Sequence, residues 1–226
     1  MIFLHSSAGH GSFGGYNSLI DNNVKAIILS GGPSSVYLND SPDIDDSILN
    51  LNYPVLGICY GLQLLIQKHN GKVISSGKGE YGFAEVDFTK GNVITEHMSD
   101  RSNVWMSHMD QVTKVPDGWQ VIATSENGVV AGLINRKQNK IATQFHPEVS
   151  HTEEGGQLLK NFIFKIAKCE KNWTPSNFIQ EQVKKIKEKS GDENILVGVS
   201  GGVDTTVLAN IKKSSVGKKC TAGLMD

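Results

Sequence analysis

A cysteine set between two glycines at the end of an apolar run is the first point in this 226-residue chain where chemistry is expected. Gly57-Ile58-Cys59-Tyr60-Gly61 has the spacing of a nucleophile elbow, in which a buried strand ends, turns sharply and enters a helix. Pro54 to Ile58 supplies the strand, and Leu62-Gln63-Leu64-Leu65-Ile66 has helical character. Glycines flank the nucleophile because a Cβ at either position would collide in so tight a turn. The amides opening the helix point at Cys59 and favour its thiolate. The competing reading is an inert core cysteine.

A second group lies in Phe145-His146-Pro147-Glu148-Val149. His146 and Glu148 are two apart, so in an extended segment both project to one side. A histidine and a carboxylate delivered together suit a base and its orienting partner. A metal site of His146, Glu148 and His151 is an alternative, without the usual helical His-x-x-x-His spacing. Satisfied structural groups are another. Cys59 in the same chain, with the exposed backbone of Gly31-Gly32, favours catalytic partnership.

The elements needed to hold these groups can be read from periodicity. Residues 24–30 form a buried strand ended by Gly31-Gly32-Pro33, residues 43–52 a weaker helix, and then comes the elbow strand. Apolar strands separated by a helix indicate a parallel α/β sheet. Asn70-Gly71 closes the elbow helix. From 72 to 144 the pattern changes to short strands, at 72–75, 83–88, 103–106, 120–124, 129–134 and 140–144. Residues 153–169 read as an amphipathic helix with Leu158, Leu159, Phe162, Ile163 and Ile166 on one face. Near the start, the glycine-rich stretch 8–15 lacks a following Gly-Lys-Ser/Thr and reads as a plain loop rather than a phosphate cradle.

After Lys171-Asn172-Trp173 a second region begins. Thr174 is an N-cap and Pro175 a first helical residue, opening a helix to about Lys189. Its Lys184, Lys185, Lys187 and Lys189 interleave with Glu181 and Glu188, as on a solvated face rather than a phosphate patch. The strand 194–199 runs into Ser200-Gly201-Gly202-Val203-Asp204-Thr205-Thr206, with a helix expected over 207–213. Strand, glycine loop and helix is an arrangement in which amides bind phosphate. An ordinary connection is the alternative.

The chain carries 22 basic and 23 acidic residues, net −1, so nothing in its charge indicates nucleic acid or an anionic membrane. No apolar run approaches the roughly 20 residues of a membrane span. Three widely spaced cysteines argue against a disulfide framework and for a reducing, cytoplasmic location.

In this order, Gly-Ile-Cys59-Tyr-Gly-Leu-Gln63, Val104-Trp-Met-Ser-His108, Phe-His146-Pro-Glu148-Val, the 169–175 linker and Val199-Ser-Gly-Gly-Val-Asp204 resemble the glutamine-hydrolysing GMP synthase family. The resemblance covers residues from about Ala26 onward. It implies an α/β fold with a mixed, mainly parallel, class-I amidotransferase-like sheet flanked by helices over 1–169. Residues 170–226 would be a linker and the first β-α unit of an ATP pyrophosphatase domain of the adenine-nucleotide alpha-hydrolase type.

By this resemblance Cys59 attacks the glutamine side-chain amide, and His146, oriented by Glu148, acts as base and then acid. Backbone N–H groups of Gly32 and Tyr60 hold the oxyanion, and Gln63, Ser107 and His108 position glutamine. No metal is implied in that domain, and no tightly bound cofactor. Ser200, Gly201, Gly202, Val203, Asp204, Thr205 and Thr206 would hold ATP with Mg²⁺. XMP would be adenylylated and then aminated to GMP, and the family homodimerises through a region not found here. The alternatives are another triad amidotransferase, an inactive remnant, or a non-catalytic binding subunit.

Several features depart from the family. Met109 and Gln111 stand where glycine and lysine are usual, and Thr205 and Thr206 replace serines, keeping a hydroxyl. The chain reads as shortened at both ends. On that reading residues 174–226 should pack loosely, and synthesis of GMP should be beyond this chain alone.

Overall fold

The computed structural model describes the backbone of residues 2–4 and all of residues 24–171 and 174–224. The glycine-rich stretch 8–15 lies outside the described residues. The chain divides into two compact units, residues 1–169 and 170–226.

The first unit is built on an eight-stranded mixed sheet with flanking helices. The strands are β1 (Ile2–Leu4), β2 (Ile27–Leu29), β3 (Val55–Ile58), β4 (Lys72–Phe88), β5 (Arg101–Lys114), β6 (Gln120–Ser125), β7 (Val130–Asn135) and β8 (Lys140–Thr143). Their order across the sheet is β1-β2-β3-β8-β7-β6-β4-β5. β1, β2, β3 and β8 are mutually parallel, whereas β7, β6, β4 and β5 pair antiparallel. β2, β3 and β8 are buried on both faces, as their continuous apolar sequences require. Ile28, Leu56 and Ile58 face a core that includes Phe145, Leu158 and Phe162. Ile27, Leu29 and Val55 face the other, with Leu62, Leu65 and Ile66 of α2 (Tyr60–Lys68).

Four local expectations change, besides the growth of the strand expected over 103–106 into the longer β5. The helix over 43–52 shrinks to α1 (Asp46–Leu49), capped by Asp45. The strands at 72–75 and 83–88 are one long strand, with a register shift between Ser75 and Glu80. An irregularity of this kind adds residues without ending a strand, so two short apolar runs look separate in sequence. The helix over 153–169 is α3 (Gly155–Lys160) followed by a π-turn, Asn161–Ile166. There the buried Asn161 amide donates to the carbonyls of Ile94 and Glu96, at 3.0 and 2.7 Å, and this tether accompanies the widened turn.

The second unit holds α4 (Pro175–Ser190), β9 (Ile195–Val199), α5 (Val203–Val216) and β10 (Cys220–Leu224). Thr174 accepts the Asn177 amide at 3.1 Å as a cap, with Pro175 at the first turn. Lys185–Glu181 and Lys184–Glu188 pair along α4 at 2.7 and 3.9 Å, and no described residue of that helix is buried. β9 and β10 pair in parallel. Only Val197 and Ser215 are buried in the described part of this unit, while Leu196, Val203 and Leu224 are each more than three-quarters exposed. The unit is loosely packed. The fourth change is that α5 starts at Val203 rather than 207, so Val203, Asp204, Thr205 and Thr206 form its first turn instead of a loop.

Candidate active site

The elbow forms at the C-terminal end of β3. Cys59 has φ 53° and ψ −105°, a left-handed conformation that a side chain rarely adopts, and its N–H donates to Thr143 of β8 at 2.7 Å. The flanking glycines are there for space. A Cβ on Gly61 would stand 2.2 Å from the Leu29 carbonyl oxygen, and one on Gly57 would stand 2.5 Å from the Gly61 carbonyl oxygen. α2 starts immediately after Cys59, so the amides of its first turn lie beside that residue.

His146 comes from the segment after β8. Its N–H donates to the Trp105 carbonyl at 3.0 Å, and its carbonyl accepts from Thr152 Oγ1 at 2.6 Å. These bonds tie the histidine to β5. Its Nδ1 lies 2.7 Å from Glu148 Oε1. The shared side expected of an extended segment is replaced by a turn at Pro147-Glu148, which folds the carboxylate back onto the ring. The Cys59 sulfur and then the Glu148 carboxylate hold the His146 imidazole up at about 10, against the burial that opposes its charge. These contacts favour a proton on the ring, the form His146 would need as an acid.

Gly31 completes the contact. A Cβ there would sit 2.9 Å from His146 Cε1 and 3.5 Å from Cys59 Cβ, so this glycine allows the two catalytic candidates to share one backbone. A cavity of about 390 Å³ opens over the sulfur, lined by Gly32, Gln63, Ser107, His108, Met109 and His146, among others. The Tyr60 side chain is buried and donates to the Pro42 carbonyl, while its backbone opens α2.

His108 lines the cavity with a ring already engaged on both nitrogens, by the Asp110 carbonyl at 2.9 Å and Glu80 at 3.0 Å. His151, weighed as a metal ligand, stacks on Trp105 with centroids 4.6 Å apart. Among the described residues no three His, Cys, Asp or Glu side chains are grouped to hold a metal ion. The three cysteines are free. No helix among the described residues is long and apolar enough to cross a membrane.

Sequence reasoning missed Glu80, Asp110 and Gln144. The last had a usable signal, because it is a primary amide at the end of an apolar strand, directly before Phe145-His146. Glu80 and Asp110 carry no such mark.

In the second unit, Gly202 caps α5 without a side-chain acceptor. Thr205 Oγ1 and Thr206 Oγ1 turn back to its carbonyl at 3.0 and 2.9 Å, and Ser200 Oγ approaches Thr205 Oγ1 at 3.4 Å.

Comparison with known proteins identifies the family to which this fold belongs. Residues 15–166 match the model of the class-I glutamine amidotransferase family. The chain is 46% identical over 86% of its length to a glutamine-hydrolysing GMP synthase of Brachyspira hyodysenteriae, covering 38% of that protein. It is 44% identical over 90% of its length to the one of Thermosipho melanesiensis, covering 40% of it. The chain thus spans about two-fifths of the length of these curated relatives. Among solved structures, a Thermoplasma acidophilum protein provisionally assigned as one component of a GMP synthase superposes with TM-score 0.56 at 25% identity, over 79% of this chain and 96% of that one. A glutamine amidotransferase of Thermotoga maritima shares the fold, with TM-score 0.50 at 19% identity, over 85% of this chain and 72% of that one.

Proposed function

The chain belongs to the class-I glutamine amidotransferase family, and from that premise we propose that it hydrolyses glutamine with a Cys59-His146-Glu148 triad. The observation carrying this reading is the elbow cysteine facing a histidine whose far nitrogen is held at 2.7 Å by a carboxylate. The glutamine side chain enters the cavity, and the Cys59 sulfur attacks its amide carbon. The oxyanion meets amides at Gly32 and at the start of α2, Tyr60 being first. His146 passes its proton to the departing nitrogen, so ammonia leaves and a thioester remains. The ring, now neutral, takes a proton from water, which attacks the thioester to release glutamate and restore the thiolate. Glu148 keeps the ring oriented through both halves.

Likeness to glutamine-hydrolysing GMP synthases supports a destination for the ammonia. On this proposal it aminates XMP adenylylated by ATP, giving GMP, AMP and pyrophosphate. Residues 170–226 would then be the start of an ATP pyrophosphatase domain. Their uncapped α5 N-terminus, with the hydroxyls of Ser200, Thr205 and Thr206, suits the phosphates of ATP and Mg²⁺.

The test is ammonia release from glutamine by the purified chain beside a Cys59→Ala control. Release abolished by the substitution is the expected result. No release from the unaltered, folded chain would overturn the glutaminase reading.

A further inference from the structure

Gln144 is fully buried, yet it brings a primary amide into the wall behind the nucleophile. Its Nε2 lies 3.7 Å from Cys59 Sγ, and its Oε1 lies 3.4 Å from Gln63 Nε2. Gln63 Nε2 is also 3.3 Å from the Asp110 carbonyl.

The orientation of both amides follows from these partners. A backbone carbonyl only accepts, so the nitrogen of Gln63 must be the atom facing Asp110. That same nitrogen faces Gln144, which must answer with oxygen. The NH₂ of Gln144 is therefore left pointing at the sulfur. The backbone holds the residue in place, because its N–H donates to Ala131 of β7 at 2.9 Å and the preceding Thr143 carbonyl accepts the Cys59 N–H at 2.7 Å. A buried amide is costly unless its polar atoms are engaged, and here the donor end is engaged by Cys59.

We infer that Gln144 is a dedicated donor to the Cys59 sulfur that stabilises and aims the thiolate, with Gln63 as the positioning residue that keeps the donor turned inward. The inference rests on Cys59 being the nucleophile of the preceding subsection. Hydrogen bonds to a charged acceptor are stronger than those to a neutral one. The Gln144 bond is therefore strong to the thiolate and weak to the uncharged thioester sulfur. It favours the free thiolate before attack, and it strengthens again as the thiolate leaves during hydrolysis. In the thiol form the S–H has its own acceptor, the Ser107 carbonyl at 3.6 Å, so the sulfur has a partner in either state.

The test is the rate at which iodoacetamide alkylates Cys59 as a function of pH. Gln144→Met conserves volume and removes the donor. Near neutral pH the rate should fall about tenfold, the scale of a lost bond to a charged group. The deficit should shrink as pH rises, since hydroxide then forms the thiolate unaided. A folded Gln144→Met that reacts at the wild-type rate overturns the inference, and so does a deficit equal at every pH, which marks misplacement instead. If Gln144→Met fails to fold, Gln144→Asn serves, because its amide is withdrawn by one methylene. It should show the same pH-dependent deficit, and a wild-type profile overturns the inference. Alkylation needs no glutamine turnover. Failure of the glutaminase reading would appear separately, as absence of ammonia release from the unaltered chain.

Discussion

Glu80 and His108 form a nearly buried pair, Oε2 to Nε2 at 3.0 Å, with 9% and 3% of their side chains exposed. The other ring nitrogen of His108 faces the Asp110 carbonyl, so both nitrogens meet acceptors and a proton must lie between the ring and the carboxylate. Glu80 Oε1 accepts from Ser125 Oγ and Asn127 Nδ2 at 2.8 and 2.9 Å. The carboxylate thereby binds β4, β5 and β6 together beneath the cavity wall formed by residues 107–110.

Removing this carboxylate should damage the wall more than the surroundings of Cys59. Glu80→Ala leaves the buried Nε2 of His108 without its partner, and the expected loss is about 3 kcal/mol of stability. KM for glutamine should rise, while Cys59 alkylation changes little. Urea unfolding with steady-state kinetics measures both, and an unchanged unfolding midpoint would refute the structural role.

Gly31 controls the meeting of Cys59 and His146. In Gly31→Ala the new methyl, 2.9 Å from His146 Cε1, must displace the ring. A shift of this kind should lower glutaminase kcat by about a hundredfold, since small misplacements of catalytic groups have effects of that order. The melting temperature should scarcely move, because the ring is at the cavity edge and can give way. Activity within a fewfold of the wild type would show that the ring has another productive position.

The elbow conformation should be measurable as strain. Cys59 sits at φ 53°, so Cys59→Gly should gain roughly 1 kcal/mol of stability while abolishing activity. Cys59→Ala keeps the Cβ and should not show that gain. Chemical denaturation of the two variants side by side separates strain from loss of the sulfur.

The His146 contacts also set a pH dependence of stability. Its folded pKa is raised from 6.5 to about 10, so protonation is favoured in the native state. The stabilisation is fully present below about 6.5 and is lost as pH rises through about 10. The difference in melting temperature between the wild type and His146→Ala should therefore be larger near pH 6 than above pH 10. Thermal melts across that interval test the sign, and a gap that widens with pH would contradict it.

What sequence alone determined were features whose cause is local. The elbow is legible because glycine collisions, a strand end and a helix start all act within a few residues of Cys59. The Thr174-Pro175 helix start is legible for the same reason, whereas His146 meets Glu148 through a turn rather than through the extended segment their spacing suggested. The tertiary structure decided the rest. Gln144 and Cys59 are 85 positions apart, and Gln63 and Gln144 are 81 apart, so only the parallel pairing of β3 with β8 brings those amides to the sulfur. Glu80 meets His108 through the irregular β4–β5 register, which no alternation of apolar residues announces. Gly31 looks like a turn glycine in sequence, and its need for an empty Cβ position appears only when the folded sheet places His146 against it. The common physical reason is that such contacts are chosen by strand pairing and close packing, and neither is written within any one stretch of the chain.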